Sequence, residues 1–294
     1  MIEQEKNSPS VDWVETPTLR APYLVVGFHG WSDAASVSSE TLLYLRETLK
    51  TTPLATVRSE PFVNYSLDRP VARIEEGIIV ELESTTTELS YWINPHSSRD
   101  MVFLLGREPH MNWHRYADVV LQVSQKLGVE VLYTVGGVQD TVSHTAPPMV
   151  SVVGSSPEVV DRTMRLERGL QRADYHGPIS IHSLLVMKGK AAGIDAASLW
   201  GHAPAYLQKH PRLVVKLVSI LNRATGMECP LDRLRKRSAD VDRKIDEAIS
   251  RDPNLKQLVE SVEGKADSPD APSRGEKVIH LDDFLRRDSK KDPE

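Results

Sequence analysis

Short apolar runs alternate with longer amphipathic stretches along most of this chain. Several of the runs, such as 102–105, are apolar at every position rather than at every second one. Continuous runs of this kind are typical of strands that helices cover on both faces. The predicted strands are Tyr23 to Phe28, Ala55 to Ser59, Ile78 to Glu83, Asp100 to Leu105, Glu130 to Val135, Met149 to Val153 and Ala196 to Trp200.

Amphipathic stretches between these runs predict helices. Gly128 and Gly193 directly follow two of the stretches, as expected where a helix ends. The predicted helices are Ala34 to Leu49, Trp113 to Leu127, Pro157 to Leu170, Ile179 to Ala192 and Pro211 to Thr225. This alternation predicts a three-layer α/β/α domain over residues 19–226, with a mostly parallel central sheet.

Composition changes at both ends of the predicted domain. Residues 1–18 read as a flexible arm, and residues 227–263 as a C-terminal helical extension whose apolar stripe is thin. Residues 264–294 are rich in Pro, Ser, Asp and Gly at first and predict a disordered tail. Within that tail, the apolar segment Val278 to Leu285 either docks on a partner protein or folds back on its own domain.

The net charge, the length of the apolar runs and the cysteine count exclude several classes of protein. The formal net charge is −5, and the basic cluster at 233–237 precedes acidic residues, so a solvated helix face is favoured over a nucleic-acid surface. No apolar run approaches the roughly 20 residues of a membrane span, and no signal peptide is visible. The single cysteine, Cys229, cannot form an internal disulfide. We therefore expect a cytoplasmic protein.

Polar residues follow most of the apolar runs. In an open parallel sheet, ligands bind outside the carboxyl ends of the strands. We expect the side chains at these ends to converge on one rim, where Glu108 and His202 also fall. The candidates for catalysis are His29, Asp33, Glu83, Asp140 and His144, and those for binding an anionic or polar ligand are Gly30, Ser32 and Arg107.

Each candidate also has a structural interpretation. Asp33 stands where a helix N-cap belongs, and His29 could donate a hydrogen bond to a loop carbonyl. The glycines match neither dinucleotide nor P-loop spacing, and no GxSxG nucleophile elbow is present. His110 and His114 have the spacing of a metal pair on a helix, but no glutamate completes an HExxH motif. The sequence predicts neither a cofactor nor a metal site.

Several ordered segments resemble one known family. The run VGFHGWSDAASVSSETLLYL, which begins at Val26, resembles the opening of the bacterial branch of the proteasome assembly chaperone 2 family. Coverage extends over nearly all of the predicted domain. Further segments with the same resemblance are Tyr65 to Pro70, Leu104 to Trp113, Gly128 to Val150 and Gly177 to Leu207.

The resemblance implies a phosphorylase/hydrolase-like fold, a homotrimer and a chaperone function in proteasome assembly. It also implies docking through a C-terminal tail that contains a tyrosine, but residues 264–294 of this chain contain none. Two hypotheses follow. We favour a noncatalytic oligomeric scaffold or assembly chaperone that acts by protein–protein interaction. The alternative is a small-molecule-binding protein or a hydrolase/phosphorylase-like enzyme, with its site at the carboxyl ends of the strands.

Overall fold

The architecture comes from a computed structural model, which describes residues 11–253, 256, 257 and 259. Its strands are β1 (Val11–Trp13), β2 (Tyr23–His29), β3 (Thr52–Val57), β4 (Val71–Glu75), β5 (Ile78–Glu83), β6 (Thr87–Trp92), β7 (Met101–Arg107), β8 (Val131–Asp140), β9 (Val150–Gly154), β10 (Leu170–Arg172) and β11 (Asp195–Pro204). Its helices are α1 (Val37–Leu49), α2 (Trp113–Lys126), α3 (Pro157–Met164), α4 (Ile181–Ala191), α5 (Pro211–Thr225) and α6 (Asp232–Arg251).

Parallel strands occupy the centre of the main sheet. Neighbouring strands β7, β2, β8 and β11 all run in the same direction. Successive residues of a strand face opposite sides of the sheet. Leu24 and Val26 accordingly join the core that contains α2 and α4, whereas Val25 joins the core that contains α1 and α5. The sheet therefore lies between two helical layers, and the predicted α/β/α fold class is confirmed.

Antiparallel strands extend the sheet on both sides of this centre. Over the described residues the strand order is β1-β3-β6-β7-β2-β8-β11-β9-β10. The run at Met149 to Val153 does form a strand, but β9 pairs antiparallel with β11. On the other side β6, β3 and β1 follow β7 in antiparallel order. Strands β1, β4, β6 and β10 were not predicted, and β3 begins and ends earlier than the predicted Ala55 to Ser59.

The run Ile78 to Glu83 forms a strand outside the central sheet. It is β5, and it pairs with β4 in a separate hairpin whose residues are all exposed. Glu76 and Gly77 connect the two strands, both with positive φ (48° and 82°), as tight hairpin turns require. The placement of this run in the central sheet was therefore wrong, because an apolar run predicts a strand without specifying its partner.

Most helices begin and end within a few residues of the predicted positions. Helix α5 has the predicted bounds, whereas α3 ends at Met164 and the rest of the predicted helix contains β10. Leu234 and Ile245 of α6 are buried in the same core as α5, so the thin apolar stripe covers the chain's own domain. Among the described residues, no helix is both long and apolar enough to cross a membrane. Residues 11–13 of the predicted flexible arm form β1, which pairs with β3. Residues 1–10 of that arm and the whole predicted tail, 264–294, lie outside the described residues.

Candidate functional site

The turn that follows β2 is held in place by Asp33. Its Oδ1 accepts hydrogen bonds from the backbone N–H groups of Ser38 (2.8 Å) and Ser39 (3.0 Å), in the first turn of α1. Ala35 and Ser36 adopt positive φ just before this helix. Burial raises the pKa of the Asp33 carboxyl, although these hydrogen bonds oppose the shift. Asp33 therefore does cap the first turn of α1, but from three residues before Ser36, which occupies the N-cap position.

His29 stands at the outer edge of this turn. Its Nδ1 lies 3.7 Å from Asp33 Oδ2, and about half of its side chain (47%) is exposed. That distance is too long for a hydrogen bond, so the two side chains are neighbours rather than a fixed acid–base pair. Asp33 already uses its other oxygen for the helix cap.

Glu108 closes the same region from the end of β7. It is only 8% exposed, and its Oε1 accepts a hydrogen bond from the Ile181 N–H (3.0 Å) at the start of α4. Burial raises the pKa of Glu108, against the effect of the hydrogen bond from Ile181. The sequence placed Glu108 on the rim but did not reveal that it would bond to the start of α4.

The carboxylates of Asp33 and Glu108 occupy the predicted anion site. Gly30 has a φ of 131° and faces Glu108, whose Cβ would lie 3.2 Å from an added Cβ. Ser32 is almost fully buried. The N–H groups that an anion would use at α1 and α4 are already taken by Asp33 and Glu108. Gly30 and Ser32 therefore belong to a turn closed by the chain's own side chains, rather than to an open ligand site.

A buried histidine packs behind the turn that follows β2. His182 Nε2 lies 3.1 Å from Ser32 Oγ, and its ring makes edge-on contacts with Phe28 and Trp200. Burial lowers the pKa of His182 to about 3, so the ring is neutral. His182 was not among the predicted residues. The only available signal was a histidine in the first turn of an otherwise apolar predicted helix.

Arg107 is engaged in an ion pair. Its Nε lies 2.9 Å from Asp68 Oδ2, and the same carboxylate oxygen accepts a hydrogen bond from Thr85 Oγ1 (2.7 Å). Asp68 precedes the β4–β5 hairpin and Thr85 follows it. The Arg107 side chain therefore helps to fix the base of the hairpin, which is a structural role that the sequence did not indicate.

Asp140 takes part in a chain of three polar side chains. Its Oδ2 lies 2.7 Å from His202 Nδ1, and His202 Nε2 lies 2.9 Å from Ser151 Oγ. The hydrogen bond from His202 holds the pKa of Asp140 below its usual range. Ser151 was not predicted, although a single serine within the apolar run of β9 is a signal that it faces a polar partner.

His144 and Glu83 lie elsewhere. His144 is buried, its Nδ1 is 2.8 Å from the Tyr206 hydroxyl, and its carbonyl accepts from Arg212 (2.7 Å). Its Nε2 is 3.6 Å from Asp246 of α6. Glu83 ends the exposed hairpin, so its predicted place on the rim was wrong.

The predicted catalytic residues thus form separate small networks rather than one pocket. Within the described part of the chain, a groove of about 380 Å³ lies between α5 and α6, and its lining includes Arg212, Lys216 and Asp242. A smaller cavity lies beside Glu40 and His210. Neither is lined by any candidate named from the sequence. No group of three or more His, Cys, Asp or Glu side chains among these residues could hold a metal ion.

Comparison with known proteins identifies the family. The model of the PAC2 family matches residues 27–249. The chain belongs to the PAC2 family. The match includes most of α6, so this helix is part of what the family shares. The resemblance seen in the sequence is thereby confirmed.

Solved structures agree with this PAC2 assignment. A proteasome-assembly chaperone homologue of Mycobacterium tuberculosis is 28% identical, with a TM-score of 0.72 over 81% of this chain and 99% of the other. A PAC2 family protein of Streptomyces avermitilis is 28% identical, with a TM-score of 0.68 over 77% of this chain and 95% of the other. No protein with a curated description matches the sequence.

An archaeal structure shares the fold alone. It is PbaB of Pyrococcus furiosus, described as a proteasome activator, and it is 18% identical with a TM-score of 0.67. The alignment covers 82% of this chain and 98% of that one. The fold therefore extends to proteins whose sequences have diverged widely from this one.

Proposed function

We propose that this PAC2 protein acts in the cytoplasm by protein–protein interaction, as a homotrimeric scaffold or assembly chaperone. In this function the protein recognises and holds its partner, and no bond in the partner is made or broken. The observation that carries the proposal is the β4–β5 hairpin, which extends from the rim with an exposed apolar face.

One face of the hairpin is apolar, and the other mixes charged and apolar side chains. The register places Ala72 opposite Leu82 and Ile74 opposite Ile79, and paired residues share a face. Ile74, Ile79 and Leu82 are 62%, 61% and 61% exposed. On the other face Arg73 forms ion pairs with Glu75 and Glu81, beside the exposed side chains of Val71 and Ile78.

An arm of this kind is stable only when something covers it. Two-stranded hairpins are at best marginally stable alone in water, and exposed apolar patches mark interaction sites. The charged side chains of the mixed face already pair with one another, so the face of Ile74, Ile79 and Leu82 is the one that a partner would bury. Arg107, Asp68 and Thr85 anchor the base, which lets the arm point in a defined direction.

The rim beside the hairpin also exposes apolar side chains. Trp31 is 65% exposed and Ile179 is 55% exposed, and both flank the region closed by Glu108. Met111 is exposed in the segment after β7 that bonds to the loop before the hairpin. An apolar rim whose helix starts are occupied by its own carboxylates suits a protein surface better than a polar metabolite.

Self-association through these two surfaces favours a closed ring. The hairpin and the rim are different surfaces of one chain, so contact between them in successive copies is head-to-tail. Head-to-tail contacts either close into a ring or continue as a filament. We propose a ring of three copies, in keeping with the family resemblance.

Light scattering on the purified protein tests the oligomer. We expect the wild type to have the mass of a trimer and the double variant Ile74→Asp/Leu82→Asp to dissociate. Burying each aliphatic side chain contributes about 1.5 kcal/mol or more, so the dissociation constant should rise by at least roughly 100-fold. Circular dichroism should show that the variant remains folded, because neither side chain belongs to the core.

A substitution on the mixed face is the matched control. Glu83 lies opposite Val71 on that face, so Glu83→Gln should leave the mass unchanged. A monomeric wild type would disprove the trimer. A trimer that survives the double substitution would show that the hairpin is not the contact.

The nature of the client protein is a separate part of the proposal. The Mycobacterium relative is described as a proteasome-assembly chaperone homologue and the Pyrococcus relative as a proteasome activator, which supports proteasome subunits as clients. The chain has no tyrosine in residues 264–294, so we expect binding to use the rim or the segment Val278 to Leu285. That segment lies outside the described residues.

Native mass spectrometry with purified proteasome subunits tests this choice of client. We expect a complex with the full chain, and a weaker one when residues 264–294 are removed. A complex of equal stability without them would assign binding to the folded domain. Absence of any complex would contradict the proteasome-related function but would leave the trimer untouched.

A further inference from the structure

Three side chains at the rim have the arrangement of a nucleophile, a base and an orienting acid. Ser151 Oγ is 2.9 Å from His202 Nε2, and His202 Nδ1 is 2.7 Å from Asp140 Oδ2. Serine hydrolases on unrelated folds use the same connectivity, which is recognised by geometry and not by position in the sequence. Nothing in the proposed scaffold function requires this arrangement.

The hydrogen bonds around Asp140 define the state of the imidazole. The Thr141 N–H donates to Asp140 Oδ1 (2.7 Å), and the pKa of this carboxyl is lowered chiefly by its hydrogen bond with His202. An ionised carboxylate accepts only, so His202 Nδ1 must carry the proton. His202 Nε2 is then left as an acceptor, which faces the Ser151 hydroxyl. This is the tautomer that a general base needs.

The chain contains a second serine–histidine pair for comparison. Ser32 Oγ is 3.1 Å from His182 Nε2, but His182 is fully buried and its Nδ1 has no hydrogen-bond partner. His182 thus lacks the orienting carboxylate that His202 has. The side chains of His202 and Asp140 are 17% and 35% exposed, so solvent reaches one pair and not the other.

Strand direction brings the three residues to one edge of the sheet. Asp140 ends β8, and His202 lies near the end of the parallel strand β11. Because β9 runs antiparallel to β11, Ser151 near its start lies at the same edge. Ser151 is only 7% exposed, so bulky acyl groups are excluded from it.

We propose that Ser151, His202 and Asp140 form a hydrolytic site for esters of short acyl chains. Ser151 Oγ attacks the ester carbonyl while its proton moves to His202 Nε2. The ester C–O bond breaks, and the departing alkoxide takes that proton. Water then attacks the acyl-serine through the same base, which releases the carboxylic acid and restores Ser151. Asp140 is a positioning residue that holds the imidazole.

A fluorophosphonate probe tests the site on the full-length wild type. We expect Ser151 Oγ to displace fluoride and form one phosphonylated serine, located by peptide mass spectrometry. Turnover of 4-nitrophenyl acetate should show a burst of nitrophenol followed by slower hydrolysis. Both signals should vanish in Ser151→Ala.

Two further variants separate chemistry from folding. Asp140→Asn should slow labelling by roughly 10³–10⁴-fold and move its pH profile to lower pH, because the protonated imidazole loses its counter-charge. Ser198→Ala is the control, since Ser198 is a buried serine of β11 that bonds to Thr134 instead. Its labelling should equal that of the wild type.

The outcome is decided by the wild-type peptide map. No label on Ser151, or a label that persists elsewhere at full yield in Ser151→Ala, would overturn the proposal. If Ser151→Ala does not fold, the wild-type peptide map still shows whether Ser151 or another residue carries the label.

Discussion

Glu108→Ala is expected to lower the free energy of unfolding by about 3 kcal/mol, the upper end for a buried donor left without its acceptor, because the Ile181 N–H loses its partner. Ile181 is fully buried, so water cannot replace the carboxylate. For a domain of this size the melting temperature should fall by roughly 6–12 °C. Chemical denaturation followed by tryptophan fluorescence measures the change.

Glu108→Gln is the informative companion. It keeps one acceptor oxygen and removes the charge, so it should lose less stability than the alanine variant. Glu60→Ala, at an exposed position, should cause no measurable shift. If Glu108→Ala were as stable as the wild type, the carboxylate would not be what holds the start of α4.

Gly137→Ala is expected to be destabilising to a similar extent. An added Cβ would lie 2.6 Å from the Ala34 carbonyl oxygen and 3.0 Å from its nitrogen. Backbone atoms cannot move away by changing rotamer, so the turn before α1 would have to shift and weaken the hydrogen bond from Gly137 N–H to Ser32 carbonyl (2.7 Å). We expect a loss of about 3 kcal/mol, at the upper end for overpacking.

Gly201 is the matched control in the neighbouring strand. It pairs directly with Gly137, and its added Cβ would meet only side-chain atoms, of which the nearest is Val37 Cγ1 at 3.1 Å. Gly201→Ala should therefore cost clearly less, because side chains adjust by small rotations. Equal losses in thermal denaturation would show that the clash with the Ala34 backbone is not the cause.

The two proposals use different parts of the rim. Interaction relies on the hairpin and on exposed side chains such as Trp31, whereas the hydrolytic site relies on Ser151 and His202 below the surface. Variants of the hairpin should therefore leave phosphonylation of Ser151 intact.

Local structure was predictable because it depends on neighbours in the sequence. The apolar run before His29 and the polar turn after it predicted a buried strand that ends at a helix start, and Asp33 caps α1 as its position suggested. Helix α5 has the bounds expected from Pro211 and from the glycine after Thr225. Periodicity, helix caps and turns act over a few residues, so the sequence by itself determined the layers of this protein.

The partners of those elements were decided only by the tertiary structure. The Ile78 to Glu83 pattern suits a sheet strand and a hairpin arm equally, and the fold placed it outside the sheet. The contacts of Glu108 with Ile181 and of Ser151 with His202 join residues 73 and 51 positions apart. Such pairs arise from strand order and direction, which no local pattern encodes, because they depend on which distant surfaces bury each other best.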